Sequence, residues 1–335
     1  MKPVKAVFEA DFLKLGEKLR GLDLPSGRDL NRQNLRERIV SSGRRILELN
    51  PAAPALEVGM LCADSSSAEK ELRYHALWGV HSVCVHCVFD GRLHDDVLVG
   101  HGKVSYRDLA YSSEIDFGSI VPYSEVDSRA NSLRVFHELD SLLDAIEEAK
   151  TEGRRANYIL VDGSLHTNLE NLSKKAGSEK EGSMALEALK KLLKLSNVVG
   201  CVEDSHATDL ARELGFDYTN MLLFDVALNP GEYVVDERNN ISICYVKLPG
   251  KKVSYLPSNT SAPLTVRWEF NKKDFKNDLN AIAGMWLSED DLVHPQPYPL
   301  RIADYLTRSI RIHGVLDELV RERDLEQKFR ELREI

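Results

Sequence analysis

The sequence lacks the features of membrane and secreted proteins. No uninterrupted apolar run approaches the roughly 18 residues of a membrane-spanning helix. The segment Met1-Lys2-Pro3-Val4-Lys5 leads into acidic residues rather than into the apolar region of a signal peptide. Only five of the 335 residues are cysteines, and an odd number favours reduced core thiols over a disulfide framework. These absences predict a cytoplasmic location and no association with a membrane.

Motifs of three common enzyme classes are also missing. There is no G-x-S-x-G for a Ser-His-Asp hydrolase and no G-x-x-x-x-G-K-[ST] for P-loop hydrolysis of nucleotides. An aspartyl phosphatase of the D-x-D type is poorly supported, because Leu160 and Ser164 occupy the positions two before and two after Asp162. The net charge of −9 argues against broad attraction to nucleic acid, although a local basic groove can coexist with an acidic total.

The composition, 43% hydrophobic and 29% charged, is that of a globular protein with one large core or two modest ones. We predict a helical N-terminal extension over residues 1–50, a main domain over 51–315 and a C-terminal helix over 316–335. The extension contains apolar residues at helical spacing on both sides of a Pro-Ser-Gly break, namely Phe8, Phe12, Leu15, Leu19, Leu35, Ile39 and Ile46.

Two apolar segments each end in an aspartate followed by small residues. The segment Asn157–Leu165 predicts a buried strand that carries Asp162 at its tip, and Ala55–Ser67 repeats the pattern at Asp64. A carboxylate beside a buried strand is unfavourable unless it is hydrogen-bonded, paired with a cation or bound to a metal. The sequence therefore raises the question of which partner these acids have.

A long strand-like segment, Tyr74–Phe89, follows the first acid and predicts a hairpin or meander with a turn at Asp90-Gly91. Cys84 and Cys87 within it have the spacing of a metal-binding Cys-x-x-Cys. They would point to opposite faces of a strand, and no second ligand pair follows at zinc-finger spacing. We therefore favour a structural strand over a zinc site.

The apolar pattern changes to a helical period between Ser132 and Lys150. Glu138 lies three residues after Val135 and four before Leu142, so it shares the apolar face that should pack against the sheet. One interpretation is a carboxylate that joins the strand-end acids. The other is a glutamate at the edge of the stripe whose long stem reaches solvent.

Asp304 is the fourth candidate. It follows a proline-rich segment, His294–Pro299, which forces an extended entry into a helix with apolar residues from Leu300 to Ile310. The aspartate would lie in the first turns of that helix. A rigid entry into an acid-bearing helix suggests a functional position, and a surface aspartate after a proline-rich turn is the alternative.

The densest cationic patch flanks a helix predicted over Met184–Leu195. A solvated helix face and a contact with a phosphate backbone are both compatible with its lysines, which are Lys174, Lys175, Lys180, Lys190, Lys191 and Lys194. Another buried strand, Val198–Val202, follows. The remaining strands are predicted over Met221–Phe224, Tyr233–Val235, Ile241–Val246, Val253–Tyr255 and Leu264–Glu269. This order predicts a mixed α/β fold with a central sheet and flanking helices.

Acids on strands and flanking helices suit two-metal hydrolysis of phosphodiesters. Divalent ions about 3.5–4 Å apart activate water and stabilise the leaving oxygen, and each ion needs hard carboxylate ligands from different elements. The sequence therefore favours metal-dependent hydrolysis of phosphodiesters, with Asp64 and Asp162 at the strand ends and Glu138 and Asp304 as further candidate residues.

Four segments in this order make the chain resemble the NurA nuclease family over about residues 50 to 315: Cys62–Ser66 before a long β section, Tyr158–Leu165 after a helix, Val198–Val202, and Pro297–Leu300 before a helix. The resemblance implies an RNase H-like core and a deoxyribonuclease that depends on Mn²⁺, with Mg²⁺ as the alternative metal cofactor. It also implies 5′-to-3′ exonuclease and single-strand endonuclease activities, a toroidal homodimer, and a partnership with the hexameric translocase HerA in DNA end resection.

Carried onto this sequence, the resemblance assigns Asp64 and Asp162 to the first two strand-end acids of the family and Glu138 to its helical glutamate, and all three are expected to be metal ligands. Asp304 falls where some members have histidine, and it is expected to bind a second metal or to orient water. Glu203 and Asp204 stand where a basic residue is common. The expected substrates are single-stranded DNA and duplex ends. An inactive or weakly active NurA-like adaptor subunit of a translocase complex is the alternative function.

Overall fold

A computed structural model describes most of the chain. The described residues are 31–52, 54, 57–72, 76–95, 103–120, 126–195, 197–203, 205–253, 258–289 and 294–322. The helix predicted around Phe8 to Leu19 lies outside them, as does most of the predicted C-terminal segment 316–335. Within the described part of the chain, no helix combines the length and the apolarity needed to cross a membrane.

The described helices and strands alternate irregularly along the chain. In order, they are α1 (Arg32–Ser41), β1 (Ile46–Glu48), β2 (Val58–Glu71), β3 (Ala76–Asp95), β4 (Lys103–Ile120), α2 (Val126–Thr151), β5 (Tyr158–Asp162), α3 (Leu165–Lys175), α4 (Lys180–Leu192), β6 (Val198–Val202), α5 (Asp209–Glu213), α6 (Asn220–Ala227), β7 (Glu232–Arg238), β8 (Ile241–Leu248), β9 (Leu264–Phe270), α7 (Lys276–Ser288), α8 (Tyr298–Ser309) and α9 (Ile312–Glu322).

The strands form one nine-stranded mixed sheet in the order β1-β7-β8-β9-β6-β5-β2-β3-β4. Strands β2, β3 and β4 make an antiparallel meander. Strands β5 and β6 run parallel to β2 on its other side, each reached through helices. An antiparallel meander whose first strand is continued by parallel strands is the RNase H-like arrangement. The predicted mixed α/β fold with flanking helices is confirmed.

Helices cover both faces of the sheet, so the central strands alternate between two hydrophobic cores. On β2, Leu61 and Ala63 pack into a core shared with α1 to α6. Met60 and Cys62 point the other way, into a core shared with α7 and α8. This alternation decides which helices each polar residue further along β2 can reach.

Strands β2 and β3 of the meander are both longer than the sequence predicts. Strand β2 does not end at Asp64, because its pairing with β3 continues as far as Glu71. Strand β3 likewise continues through Asp90-Gly91 to Asp95. The pairing with β4 shifts register after Phe89, and Gly91 has a φ of +74°. The predicted turn is therefore a bulge within a longer strand.

Two further predictions of secondary structure were wrong. The apolar run Met221–Phe224, expected as a strand, belongs to helix α6, because Thr219 caps it by accepting a hydrogen bond from the Leu222 amide. A short apolar run does not distinguish a strand from a buried helix. Ile46, expected on a helix, pairs with Val234 in the edge strand β1.

Gly200 on β6 allows the close approach of the turn that follows β5. A Cβ at this position would lie 2.8 Å from the Gly163 carbonyl oxygen and 2.9 Å from Leu165 Cγ. Gly200→Ala is expected to displace that turn and to lower the free energy of unfolding by about 1–3 kcal/mol in urea titrations. Gly177→Ala is the control, since a Cβ there meets nothing within 4 Å. Equal stabilities of the two variants would contradict the prediction.

Candidate active site

Asp64 and Asp162 lie side by side on adjacent parallel strands. The register pairs Ala63 of β2 with Val161 of β5, and the next residue of each strand is one of the two acids. Neighbouring strands are about 4.8 Å apart, so the two carboxylates lie close to each other. Asp64 alternates with Met60 and Cys62 on β2, and Asp162 alternates with Leu160 on β5, so both face the layer that contains α8.

Asp64 is 5% exposed, and its Oδ2 accepts a hydrogen bond of 2.6 Å from the Thr307 hydroxyl of α8. Burial raises the pKa of the Asp64 carboxyl, and the charge of Asp304 raises it further. The bonds from Thr307 and from the Ser65 backbone lower that pKa but do not outweigh burial. Asp64 is thus a buried acid whose ionised form has neutral donors but, among the described residues, no cation in an ion pair with it.

Asp162 ends β5, and its Oδ1 accepts a hydrogen bond of 2.7 Å from the Gln296 side-chain amide. Burial and then the charge of Asp64 raise the pKa of Asp162 to about 6. The charges of Glu203 and Asp304 act in the same direction. The proline-rich segment therefore supplies a neutral donor to the second strand acid.

Asp304 lies half-buried on α8, one turn before Thr307. Its Oδ1 is 2.6 Å from Arg308 Nε in an ion pair along the helix. Helix α8 packs on β2, and Thr307, one turn after Asp304, donates to Asp64, so Asp304 lies on the same side of the sheet as Asp64. The charge of Asp304 raises the pKa values of both Asp64 and Asp162.

Glu138 approaches from the opposite layer. Helix α2 presents it to the sheet, and its Oε2 accepts a hydrogen bond of 2.7 Å from Ser65, which alternates with Asp64 on β2. The side chain is 5% exposed, so it does not reach solvent along the edge of the apolar stripe. Burial and the charges of Asp64 and Asp162 raise its pKa to about 8, and Arg134 opposes that rise.

The donor chemistry of these four carboxylates fits a hard divalent ion, because all the donors are oxygens and their mutual repulsion favours a bound cation. In the described part of the chain, however, no three Asp, Glu, His or Cys side chains converge so as to hold one metal ion. Glu138 comes from the α2 layer and the three aspartates face the α8 layer. Convergence of all four on one ion would require side-chain movement.

Sequence reasoning missed the residues that hold these acids. Gln296 lies within the proline-rich segment, and Thr307 follows Asp304 by one helical turn. Both residues are therefore close to features that the sequence pattern indicates. His294 was also missed. Its Nε2 is 3.1 Å from Glu203 Oε1, and its Nδ1 accepts a hydrogen bond from the backbone amide of Gln296. Burial lowers the pKa of His294. Nothing in the sequence connects His294 with Glu203.

The Cys-x-x-Cys spacing has a structural explanation, whereas a phosphate contact of the cationic patch stays a prediction. Cys84 and Cys87 are buried and free, and burial raises the pKa of the Cys84 thiol to about 12, which suits a core thiol. Of the six lysines in the cationic patch, Lys175 is half-buried and donates to the Ser128 carbonyl, and the other five are exposed.

Comparison with known proteins identifies solved structures that share this fold. A scan against protein-family models found no match, and a search of curated proteins also found none. Among solved structures, the NurA nuclease from Sulfolobus solfataricus superposes with a TM-score of 0.56 at 14% identity, over 92% of this chain and 97% of that one. A second NurA structure gives 0.51 at 10% identity, over 95% and 97% of the two chains. A NurA structure with manganese gives 0.51 at 11% identity, over 94% and 97%. This chain therefore has the fold of the NurA nucleases.

Proposed function

We propose that the protein is a metal-dependent deoxyribonuclease that hydrolyses phosphodiester bonds. The observation that supports this most is the side-by-side placement of Asp64 and Asp162 on β2 and β5, with Asp304 beside them, in a chain with the NurA fold. Such a set of buried acids destabilises a protein unless a cation compensates it, so a role in binding ions explains its presence.

In this proposal Asp64 and Asp162 are the principal ligands of Mn²⁺ or Mg²⁺, and Asp304 binds a second ion or orients water. These carboxylates would hold an ion that, when bound, would polarise the phosphoryl oxygen and lower the pKa of bound water. Thr307 donates to Asp64 and Gln296 donates to Asp162, and these hydrogen bonds fix the orientation of the two carboxylates. Glu138, with a pKa of about 8, is suited to hold or release a proton near neutral pH.

The test compares wild type with Asp162→Ala on single-stranded DNA and on resected duplex DNA, with Mn²⁺ and with EDTA. Degradation by wild type that requires Mn²⁺ is expected, with a loss of about a thousand-fold in the variant because a ligand that positions the reacting groups is removed. Equal activity of the two proteins would refute the mechanism. The polarity of digestion on end-labelled strands then tests the proposed 5′-to-3′ direction and the single-strand endonuclease activity.

A second candidate is a weakly active or inactive adaptor subunit of a DNA translocase complex. It is favoured by the absence, among the described residues, of three ligand side chains that converge on one point. Such an adaptor keeps the fold and binds no metal. Calorimetric titration with Mn²⁺ separates the two candidates, because only the nuclease shows saturable binding that Asp162→Ala weakens.

We also propose two partners, a second copy of the chain and a HerA-like hexameric ATPase with which it would act in DNA end resection. Both come from the resemblance to NurA. The edge strand β4 supports self-association, since it exposes the large apolar side chains of Tyr111, Ile115 and Phe117. Light scattering tests the homodimer, and co-purification with a hexameric translocase tests the second partner.

A further inference from the structure

Arg134 forms an ion pair with Glu138, and none of the proposed ligand roles uses it. Helix α2 places it one turn before Glu138, and its Nη1 lies 3.4 Å from Glu138 Oε2. The same nitrogen lies 3.3 Å from Ser65 Oγ and 3.4 Å from the Ser65 carbonyl oxygen. These distances are long for charge-assisted hydrogen bonds, which are typically about 2.7–2.9 Å.

The guanidinium acts on the whole group of acids. Its charge lowers the pKa values of Asp64, Glu138 and Asp162, although burial outweighs it at each of the three. The side chain is 32% exposed, so water and a ligand can reach it. Arg134 is therefore a solvent-accessible positive charge at the edge of a buried acidic site.

Most of the donors of Arg134 are unused. Nη1 makes the three long contacts, and among the described residues Nε and Nη2 have no hydrogen-bond partner. Arg129 on the same helix differs, because its Nη2 forms a direct ion pair with Glu181. An arginine fork with free donors recognises a planar pair of anionic oxygens, and a phosphate group presents such a pair.

We propose that Arg134 is a substrate-binding residue that donates from Nε and Nη2 to the two non-bridging oxygens of a phosphate group in a DNA strand lying at the acidic site. The inference rests on the proposed nuclease function, because it assumes that the strand approaches these acids. Once cations compensate the acids, the attraction between Arg134 and Glu138 weakens. The phosphate then offers the guanidinium shorter and better aligned hydrogen bonds than Ser65 and Glu138 do.

The experiment measures binding of a fluorescein-labelled single-stranded oligonucleotide by anisotropy, with Ca²⁺ in place of Mn²⁺, over a series of salt concentrations. Each phosphate contact contributes about 0.7 to the slope of log K against log salt for a single strand. Arg134→Gln is expected to lower that slope by about 0.7 and to weaken binding about ten-fold at low salt. Arg134→Lys should keep the slope, because it keeps the charge, and bind with intermediate affinity.

Arg129→Gln is the matched control, since it removes the same charge from the same helix away from the acids. Wild-type slope and affinity in Arg134→Gln would overturn the inference, as would equal losses in the two glutamine variants or a failure of wild type to bind the oligonucleotide. If wild type cleaves DNA and Arg134→Gln binds normally, this inference alone fails. If binding depends on Arg134 but wild type never cleaves DNA with Mn²⁺, the nuclease proposal alone fails.

Discussion

At pH 8.5 without divalent ions, the free energy of unfolding of Glu138→Gln is expected to be about 2 kcal/mol higher than that of wild type. Burial raises the pKa of Glu138 from 4.5 to about 8, so between these values the native state binds more protons than the unfolded chain. The stability of wild type therefore falls as pH rises from 4.5 to 8, at about 1.4 kcal/mol per pH unit at most. Glutamine cannot ionise, so the variant does not lose stability over this pH range. Its advantage over wild type is only part of the wild-type loss, because Arg134 attracts a neutral amide less than a carboxylate.

Urea unfolding in EDTA at pH 5 and pH 8.5 measures this effect. The two proteins should differ little at pH 5, where Glu138 is largely protonated in the native state, and should separate at pH 8.5. Glu147→Gln is the control, because Glu147 is on the same helix with 73% of its side chain exposed. A Glu138→Gln variant less stable than wild type at pH 8.5 would show that the buried carboxylate contributes favourably to folding.

Mn²⁺ is expected to stabilise wild type and to leave Asp64→Asn/Asp162→Asn unaffected. A ligand that binds only the native state adds about 2.7 kcal/mol at one hundred times its dissociation constant. Asparagine keeps the size of each side chain and the acceptor for Thr307 or Gln296, but it removes the charge that attracts the ion. The double variant should therefore fold normally and lose the whole increment, and also be more stable than wild type in EDTA, since two repelling buried charges are gone.

Thermal unfolding with a Mn²⁺ titration at pH 8 provides the measurement, and it does not depend on nuclease activity. Asp317→Asn is the control, because Asp317 is a partly exposed acid paired with Lys70 on the surface. The control should show the full increment. An equal Mn²⁺ effect in the double variant would place the ion elsewhere, and no effect in wild type would favour the adaptor function.

The sequence alone identified the acids and most of the elements that carry them. The apolar segment before Asp162, the helical stripe that contains Glu138 and the proline-led helix with Asp304 are local patterns, and each predicts an element without knowledge of its neighbours. The mixed α/β sheet follows from their order. Local pattern was insufficient where a short apolar run occurred, as at Met221–Phe224, because the period of such a run does not distinguish a strand from a helix.

The tertiary structure decided how the acids relate to one another and what holds them. Strand pairing showed that Asp64 lies within β2 rather than at its end, and the alternation along β2 separates Glu138 from the aspartates by layer. The donors to the two strand acids come from far along the chain: Gln296 is 134 residues from Asp162, and Thr307 is 243 residues from Asp64. Sequence determined each local element because its pattern is local, whereas these contacts arise from packing between distant segments.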